Sequence, residues 1–204
     1  MAKVLTKTDP VQMVINLPPA FDMTDEEFFE FCRINSELRI ERTAQGDLII
    51  IPPTGGETGN RNAELTTQVR NWTKQDGTGV VFDSSTGFIL PNGATRVPDV
   101  SWVKRSRLAA LTSEQKKRFL PLCPDFVIEL RSPSDSLSSA QEKMEEYIAN
   151  GARLGWLIDA QNRQVYIYRP GSEAEPLDDP QTLSGESLLP DFTLDLKDIW
   201  EPDF

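Results

Sequence analysis

Short apolar runs, some alternating with polar residues and some continuous, are separated along the chain by proline, glycine and polar clusters. This pattern predicts strands at residues 38–40, 48–51, 79–82, 87–90, 96–103, 124–131, 154–158, 164–168 and 192–196. Apolar residues at three- and four-residue spacing predict helices over about 24–36, 60–75 and 136–150. Because strands and helices alternate, we expect an α/β fold with a mixed β-sheet flanked by helices.

Polar residues at the predicted helix ends support these assignments. Thr24 and Glu27 have the spacing of a capping box at the start of the first helix. The segment 132–136 is rich in serine and leads into the third helix, which Asn150 and Gly151 close. On the third helix, we expect Glu142, Glu145 and Glu146 to point to solvent.

The chain has 204 residues, of which 38% are hydrophobic, and this suits one domain. We assign residues 1–20 to an N-terminal arm, 21–200 to the single domain and 201–204 to a C-terminal tail. No apolar run approaches the roughly 18 residues of a membrane span. The N-terminus has no apolar signal core, so we expect a cytoplasmic protein that does not contact a membrane.

Histidine is absent from the sequence, which excludes Ser-His-Asp and Cys-His catalysis and histidine zinc sites. Neither of the glycine-rich loops typical of nucleotide binding is present, so we expect no nucleotide cofactor. Cys32 and Cys123 lack the spacing of a metal site and are expected to be reduced and mostly buried. Catalysis would therefore depend on carboxylates, lysine, tyrosine, serine or a metal ion.

The formal net charge of −11 opposes non-specific binding to nucleic acid. One segment, 104–118, is nevertheless basic and joins two predicted strands. Its cationic residues are Lys104, Arg105, Arg107, Lys116, Lys117 and Arg118. Two interpretations stay open for this segment, a solvated surface and an element that contacts nucleic-acid phosphates.

Two predicted strands each carry one carboxylate among apolar residues. Asp99 lies in the strand 96–103, and Glu129 lies in the strand 124–131. If the two strands are neighbours, both carboxylates meet at one edge of the sheet. Mg²⁺ is commonly held by one or two carboxylates, with water and substrate phosphate as the other ligands.

Lys143 falls at the edge of the apolar stripe of the third predicted helix, between Ala140 and Tyr147. A lysine at such a border can extend its ammonium toward the strand ends. There it could orient or help deprotonate a water, or stabilise charge on a phosphate. The alternative is a lysine that only flanks the core.

Taken together, several motifs resemble the Uma-two family of restriction-endonuclease-like proteins. They are Val97-Pro98-Asp99-Val100, the segment 124–135 with its Glu129-Leu130-Arg131 core, the segment 143–147, Gly151 and Trp156-Leu157-Ile158-Asp159. The helix after Thr24, the run 50–56 and the strand 165–168 fit as well, so the resemblance covers about residues 20–200.

The resemblance implies a restriction-endonuclease-like core of the PD-(D/E)xK class and Mg²⁺-dependent hydrolysis of phosphodiester bonds, with Mn²⁺ as an alternative ion. Asp99, Glu129 and the Leu130 carbonyl would then hold the metal. Arg131 stands where the family motif expects lysine, and arginine cannot act as a base, so Lys143 becomes the candidate substitute. Arg131 could contact phosphate, and Glu64 is either an additional carboxylate or an ordinary helix residue.

Three hypotheses follow for the function. The first is a metal-dependent endonuclease that acts on DNA, with Asp99, Glu129 and Lys143 as catalytic residues. The second is a binding or assembly module that keeps the nuclease fold with little or no catalysis. The third, a weaker one, is a hydrolase of small phosphate esters. A homodimer is expected for either of the first two, since a duplex has two strands and two-fold dimers are the commonest oligomers.

Overall fold

The computed structural model describes residues 13–18, 23–133 and 135–203. The strands are β1 (Met13–Ile15), β2 (Arg39–Arg42), β3 (Leu48–Ile51), β4 (Gly79–Phe82), β5 (Phe88–Ile89), β6 (Thr95–Arg96), β7 (Val100–Lys104), β8 (Phe126–Leu130), β9 (Leu154–Asp159), β10 (Gln164–Tyr168), β11 (Glu175–Asp178), β12 (Thr182–Ser184) and β13 (Thr193–Asp195). The helices are α1 (Asp25–Ile34), α2 (Gly56–Asp76), α3 (Arg105–Ala109), α4 (Leu137–Ala149) and α5 (Lys197–Trp200), with a short 3-10 helix over Gln115–Lys117.

A six-stranded sheet in the order β11-β10-β9-β8-β7-β4 forms the centre of the fold. Its strands are antiparallel except for β8 and β9, which are parallel and joined through α4. Alternate residues of β7, β8 and β9 belong to two hydrophobic clusters. Trp102, Phe126 and Trp156 pack with residues of α2 and α5, whereas Val127 and Leu157 pack with residues of α4. The sheet is therefore covered by helices on both faces, as an α/β fold requires.

A second sheet of five strands has the order β1-β3-β2-β6-β5 and carries α1. Phe28 of α1 packs on Ile40 and Leu48 of the hairpin formed by β2 and β3. The guanidinium of Arg42 lies 4.9 Å from the centre of the Phe28 ring and donates to the Met23 carbonyl. A two-stranded sheet of β12 and β13 completes the strand pairing.

Most of the predicted elements are confirmed. The Thr24 side chain accepts from the Glu27 N–H, and Glu27 accepts from the Thr24 N–H, so the capping box is present. Ser136 caps α4 by accepting from the Ser139 N–H. The second helix begins at Gly56, four residues before the predicted start. The pattern gave no indication of β11, β12 or α5, which lie in the acidic C-terminal part of the chain.

The prediction of one continuous strand over 96–103 is wrong. β6 ends at Arg96 in the five-stranded sheet, and β7 starts at Val100 in the six-stranded sheet. The chain crosses between the two sheets at residues 97–99, where Pro98 has no N–H to give to a ladder. Asp99 is therefore placed at the junction of the two sheets and not within a strand.

The N-terminal arm predicted over 1–20 lies largely outside the described residues, because 1–12 and 19–22 are not among them. In the described part of the arm, β1 pairs with β3, and the Leu17 N–H donates to Asp47. At the other terminus, Glu201 pairs with Arg163. The division into arm, single domain and tail stays a prediction. Within the part of the chain that the structure describes, no helix is long and apolar enough to cross a membrane.

Candidate active site

Asp99 and Glu129 come together where β7 and β8 pair. Val100 lies opposite Ile128 in this antiparallel pair, and Asp99 and Glu129 are the next residues along the chain from these two. One oxygen of Asp99, Oδ2, accepts a 2.9 Å hydrogen bond from the Leu130 N–H. Both carboxylates and Leu130 line one cavity of about 520 Å³. The expectation that neighbouring strands bring these carboxylates to one place is confirmed.

Lys143 reaches this pair from α4. Its Nζ lies 2.9 Å from Glu129 Oε1, and the Tyr147 hydroxyl donates to the same oxygen at 2.9 Å. Lys143 and Tyr147 are one turn apart on α4, so both side chains point toward the end of β8. The ammonium is held between carboxylates and does not simply flank the core.

A third carboxylate, that of Glu41, belongs to the same group, and the sequence pattern gave no sign of it. Glu41 is 2% exposed and accepts a 2.9 Å hydrogen bond from Lys143 Nζ. It also accepts from the Val97 N–H and pairs with Arg96. In the alternating pattern of β2, Ile40 faces the core and Glu41 faces the opposite side, which a two-residue period assigns to solvent. The cover supplied by α4 is what buries it.

Glu146 also differs from the sequence expectation. Its carboxylate pairs with Arg96, so it points into the site and not to solvent. Glu142 and Glu145 are exposed, as expected. Arg96 thereby bridges Glu41 of the hairpin and Glu146 of α4, and these ion pairs join the five-stranded sheet to α4 beside the site.

Burial and neighbouring charge set the protonation of the group. Burial, with added repulsion from Asp99 and Glu41, raises the pKa of Glu129 to about 7 despite the opposing effect of Lys143. Burial would lower the pKa of Lys143, but Glu129 and Glu41 outweigh burial and hold that pKa above its usual value. Burial would likewise raise the pKa of Glu41, but Lys143 and Arg96 hold it below its usual value. Lys143 is thus an ammonium, and Glu129 takes up a proton near neutral pH.

The comparisons with known proteins identify the family and the fold. A family model described as "Putative restriction endonuclease", Uma2, matches residues 25–197. The chain belongs to the Uma2 family. A solved structure described as a putative nuclease belonging to DUF820 from Anabaena variabilis superposes with a TM-score of 0.71. It shares 22% sequence identity and covers 87% of this chain and 97% of its own, which shows a common fold. A comparison with curated proteins gave no match.

The resemblance seen in the sequence is therefore confirmed, and the restriction-endonuclease-like α/β fold with it. The description of the Uma2 family supports a nuclease. Neither the family match nor the shared fold assigns roles to Asp99, Glu129 or Lys143.

Two auxiliary candidates of this Uma2 chain have other partners. Arg131 donates a 2.6 Å hydrogen bond to Asp159, which is fully buried, and a second bond to the Asp135 carbonyl. Glu64 accepts from Gln68 on the next turn of α2. The α2 residue that contacts Asp99 is Asn62, whose Nδ2 donates to Asp99 Oδ1 at 3.2 Å. The structure does not bring Glu64 into the carboxylate group.

The basic segment lies at the far end of β7. Lys104 follows Asp99 by five residues, which corresponds to about 16 Å along a strand. Several of its side chains have internal partners. Arg105 donates to the Gly77 carbonyl, and Arg107 donates to the Cys123 carbonyl and pairs with Asp125. Lys117 donates to Glu114, and Arg118 pairs with Glu26 and Glu114. A contact between this segment and nucleic acid stays a prediction. Such a contact at Lys104 would lie about 16 Å along the strand from Asp99.

The oxygen atoms at Asp99, Glu129 and Leu130 are the candidate ligands of a divalent metal ion. Within residues 13–18, 23–133 and 135–203, no group of three or more acidic, cysteine or histidine side chains could hold a metal ion. Two carboxylates and a backbone carbonyl suffice for Mg²⁺, which keeps several waters. The mutual repulsion that contributes to the raised pKa of Glu129 is what a cation between the two carboxylates would relieve. Asp99, Glu129 and Leu130 therefore fit a hydrated Mg²⁺ ion.

Proposed function

We propose that this Uma2 protein is a divalent-metal-dependent nuclease that hydrolyses phosphodiester bonds in DNA. The single observation that carries the proposal is the convergence of three groups on one cavity. Asp99, just before β7, and Glu129 on β8 line this cavity together with Lys143, which contacts Glu129 at 2.9 Å. The two carboxylates supply the hard oxygen ligands, and the lysine supplies the positive charge, that phosphoryl chemistry uses.

Asp99, Glu129 and the Leu130 carbonyl would hold the ion, with Mg²⁺ as the expected metal and Mn²⁺ as an alternative. When bound, such an ion supplies a water of lowered pKa and polarises the phosphate. The N–H and C=O of one residue in an extended strand point to the same side. Because the Leu130 N–H donates to Asp99, its carbonyl is expected on the Asp99 side as well.

Lys143 has a more restricted role than a general base. Its pKa lies above the usual lysine value because Glu129 and Glu41 outweigh the effect of burial, so it carries a proton near neutral pH. A protonated lysine donates hydrogen bonds only. It therefore orients the attacking water and stabilises the negative charge that develops on the phosphate.

A second candidate function is a nuclease-fold binding or assembly module with little catalysis. Its support is that Arg131, at the position where the family motif has lysine, is committed to the buried Asp159. The net charge of −11 also weakens the attraction to nucleic acid. This candidate predicts no specific metal binding at Asp99 and Glu129.

Isothermal titration of Mg²⁺ and Mn²⁺ separates the two candidates. The wild type is compared with Asp99→Ala and Glu129→Ala, and Glu142→Ala on the exposed face of α4 serves as the control. The nuclease predicts binding that both site variants lose and the control keeps, together with cleavage of a DNA substrate by the wild type. Equal metal binding by all four proteins would mean that the metal is not bound at Asp99 and Glu129, and would favour the binding or assembly module.

A homodimer would present two such sites to the two strands of a duplex, and we propose this state for the active protein. Light scattering coupled to size-exclusion chromatography measures the mass directly. The mass of a single 22.9 kDa chain would contradict the dimer without affecting the metal site.

A further inference from the structure

Arg39 on β2 lines the same cavity as Asp99 and Glu129, and its hydrogen bonding is incomplete. Its Nη2 donates to the Val97 carbonyl at 2.8 Å and lies 3.7 Å from Asp99 Oδ1. Its Nε is buried, and none of the described residues offers it an acceptor. Buried N–H groups are rarely left unpaired, and the Arg39 side chain as a whole is 26% exposed where it lines the cavity, so the guanidinium keeps donors that are not used within the protein.

Asn62, which also approaches Asp99 Oδ1, has an unpaired acceptor. Its Nδ2 donates to Asp99 Oδ1, and this bond fixes the orientation of the amide. Its Oδ1 is then buried without a donor from any described residue. Arg39, with one unpaired donor, and Asn62, with one unpaired acceptor, thus both approach the same oxygen of Asp99 in a single cavity.

Other cations near the carboxylates are already engaged. Arg96 pairs with Glu41 and Glu146, and Arg131 pairs with Asp159, all within 3.1 Å. Arg61, which lines the cavity with Arg39, donates to the Ile199 carbonyl and pairs with Glu57. Arg39 differs from these three because its nearest carboxylate is 3.7 Å away and one of its donors is unused.

We propose that Arg39 binds a phosphodiester group of the nucleic-acid backbone, and that the cavity beside Asp99 is the phosphate subsite of this protein. A guanidinium suits that ligand because its planar donors match phosphate oxygens. Asn62 holds the Asp99 carboxylate next to this phosphate through its hydrogen bond to Oδ1. This inference rests on the proposed function and adds the residue that holds the substrate.

The test is fluorescence anisotropy with a labelled DNA duplex, titrated at several salt concentrations with Ca²⁺ in place of Mg²⁺. The proteins are the wild type, Arg39→Met and the control Arg33→Met, whose arginine is exposed on α1 and pairs with Glu30 of the same helix. Loss of one charge-assisted bond predicts about tenfold weaker binding by Arg39→Met. Loss of one phosphate contact also lowers the slope of log K against log salt by about 0.9, whereas Arg33→Met keeps the wild-type slope.

The salt slope separates a phosphate contact from a structural role. If Arg39 only supports Asp99 and Val97, Arg39→Met weakens binding with an unchanged slope, and this outcome overturns the proposal. Arg39→Lys keeps the charge and provides a second check if Arg39→Met does not fold. It should keep the wild-type slope and bind more weakly, and a wild-type affinity for Arg39→Lys would count against the subsite.

The wild type distinguishes failure of the subsite from failure of the proposed function. A wild type that binds and, with Mg²⁺, cleaves the duplex, while Arg39→Met has the same salt slope, overturns only the subsite. A wild type that neither binds nor cleaves the duplex overturns both.

Discussion

Glu41 of the five-stranded sheet accepts a 2.9 Å hydrogen bond from Lys143, which extends from the helix that covers the six-stranded sheet. The same ammonium lies 2.9 Å from Glu129. Lys143 is therefore held between two carboxylates that belong to different sheets. The position of the cationic group of the site consequently depends on how the two sheets dock.

Glu41→Gln is expected to impair cleavage through Lys143, although Glu41 has no place among the proposed metal ligands. The variant keeps the size of the side chain and removes one of the two charges that hold the ammonium. Loss of such a supporting partner typically lowers activity by about 10–100-fold. We expect the loss in kcat, with KM near the wild-type value and, at about pH 8.5 where Glu129 has already lost its proton, a wild-type Mg²⁺ affinity.

Glu142→Gln is the matched control for this prediction, because Glu142 is exposed one residue before Lys143 on α4. Steady-state kinetics and calorimetric Mg²⁺ titration provide the two readouts. A Glu41→Gln variant with the kcat of Glu142→Gln would mean that Glu41 has only a structural role.

Metal binding is expected to release a proton, with a dependence on pH set by Glu129. Burial, together with the nearby Asp99 and Glu41, raises the pKa of this carboxyl to about 7. Below that pH the free protein carries the proton that a bound metal must displace. We expect release of nearly one proton at about pH 6 and almost none at about pH 8.5, with metal affinity rising between them.

Titrations in two buffers of different ionisation enthalpy measure this release.

The raised pKa of Glu129 also predicts an effect on stability of definite sign. A carboxyl whose folded pKa is raised contributes stability below its unfolded value of 4.5, and this contribution is lost as the pH rises through about 7. Wild type should therefore lose stability relative to Glu129→Gln across that interval. A pH-independent difference, or binding heats that do not vary with buffer, would contradict the assignment.

Arg131→Met is expected to destabilise the protein strongly, because Arg131 neutralises Asp159. Asp159 is 0% exposed, and its other side-chain contact is with Asn162. Removal of one partner of a buried ion pair costs about 3–5 kcal/mol. Urea denaturation measures the free energy of unfolding, and Asp159→Asn in the Arg131→Met background should recover part of the loss. Normal stability combined with weaker DNA binding would instead favour a phosphate contact for Arg131.

Gly79→Ala is expected to disturb the central sheet. A Cβ at this position would lie 2.0 Å from Cε2 of the buried Trp102, which has no room to move away. Overpacking of this kind costs about 1–3 kcal/mol. Gly59→Ala in α2 is the contrasting variant, because its Cβ would meet nothing closer than 3.9 Å, and alanine favours a helix by up to about 1 kcal/mol. Thermal unfolding should rank Gly59→Ala above wild type and wild type above Gly79→Ala.

Features that depend on neighbouring residues in the chain were determined by the sequence itself. Thr24 and Glu27 form a capping box because the two bonds need only a three-residue spacing. Met144 and Tyr147 are buried, and Lys143 lies beside them, because helical periodicity places these residues relative to one another. Two-residue alternation likewise put Val127 and Glu129 on the same side of β8, and this side packs against α4.

Contacts between distant segments were decided only by the tertiary structure. Glu41, Arg39 and Asn62 look like ordinary surface residues of a strand and a helix, since local periodicity reports a face but not what covers it. The packing of α4 and the hairpin over the end of β8 turns Glu41 into a buried partner of Lys143. The passage of the chain from one sheet to the other ended the predicted strand before Asp99. That crossing brings Asp99 close to Asn62, Arg39 and the Leu130 N–H, all of which are distant from it in the sequence.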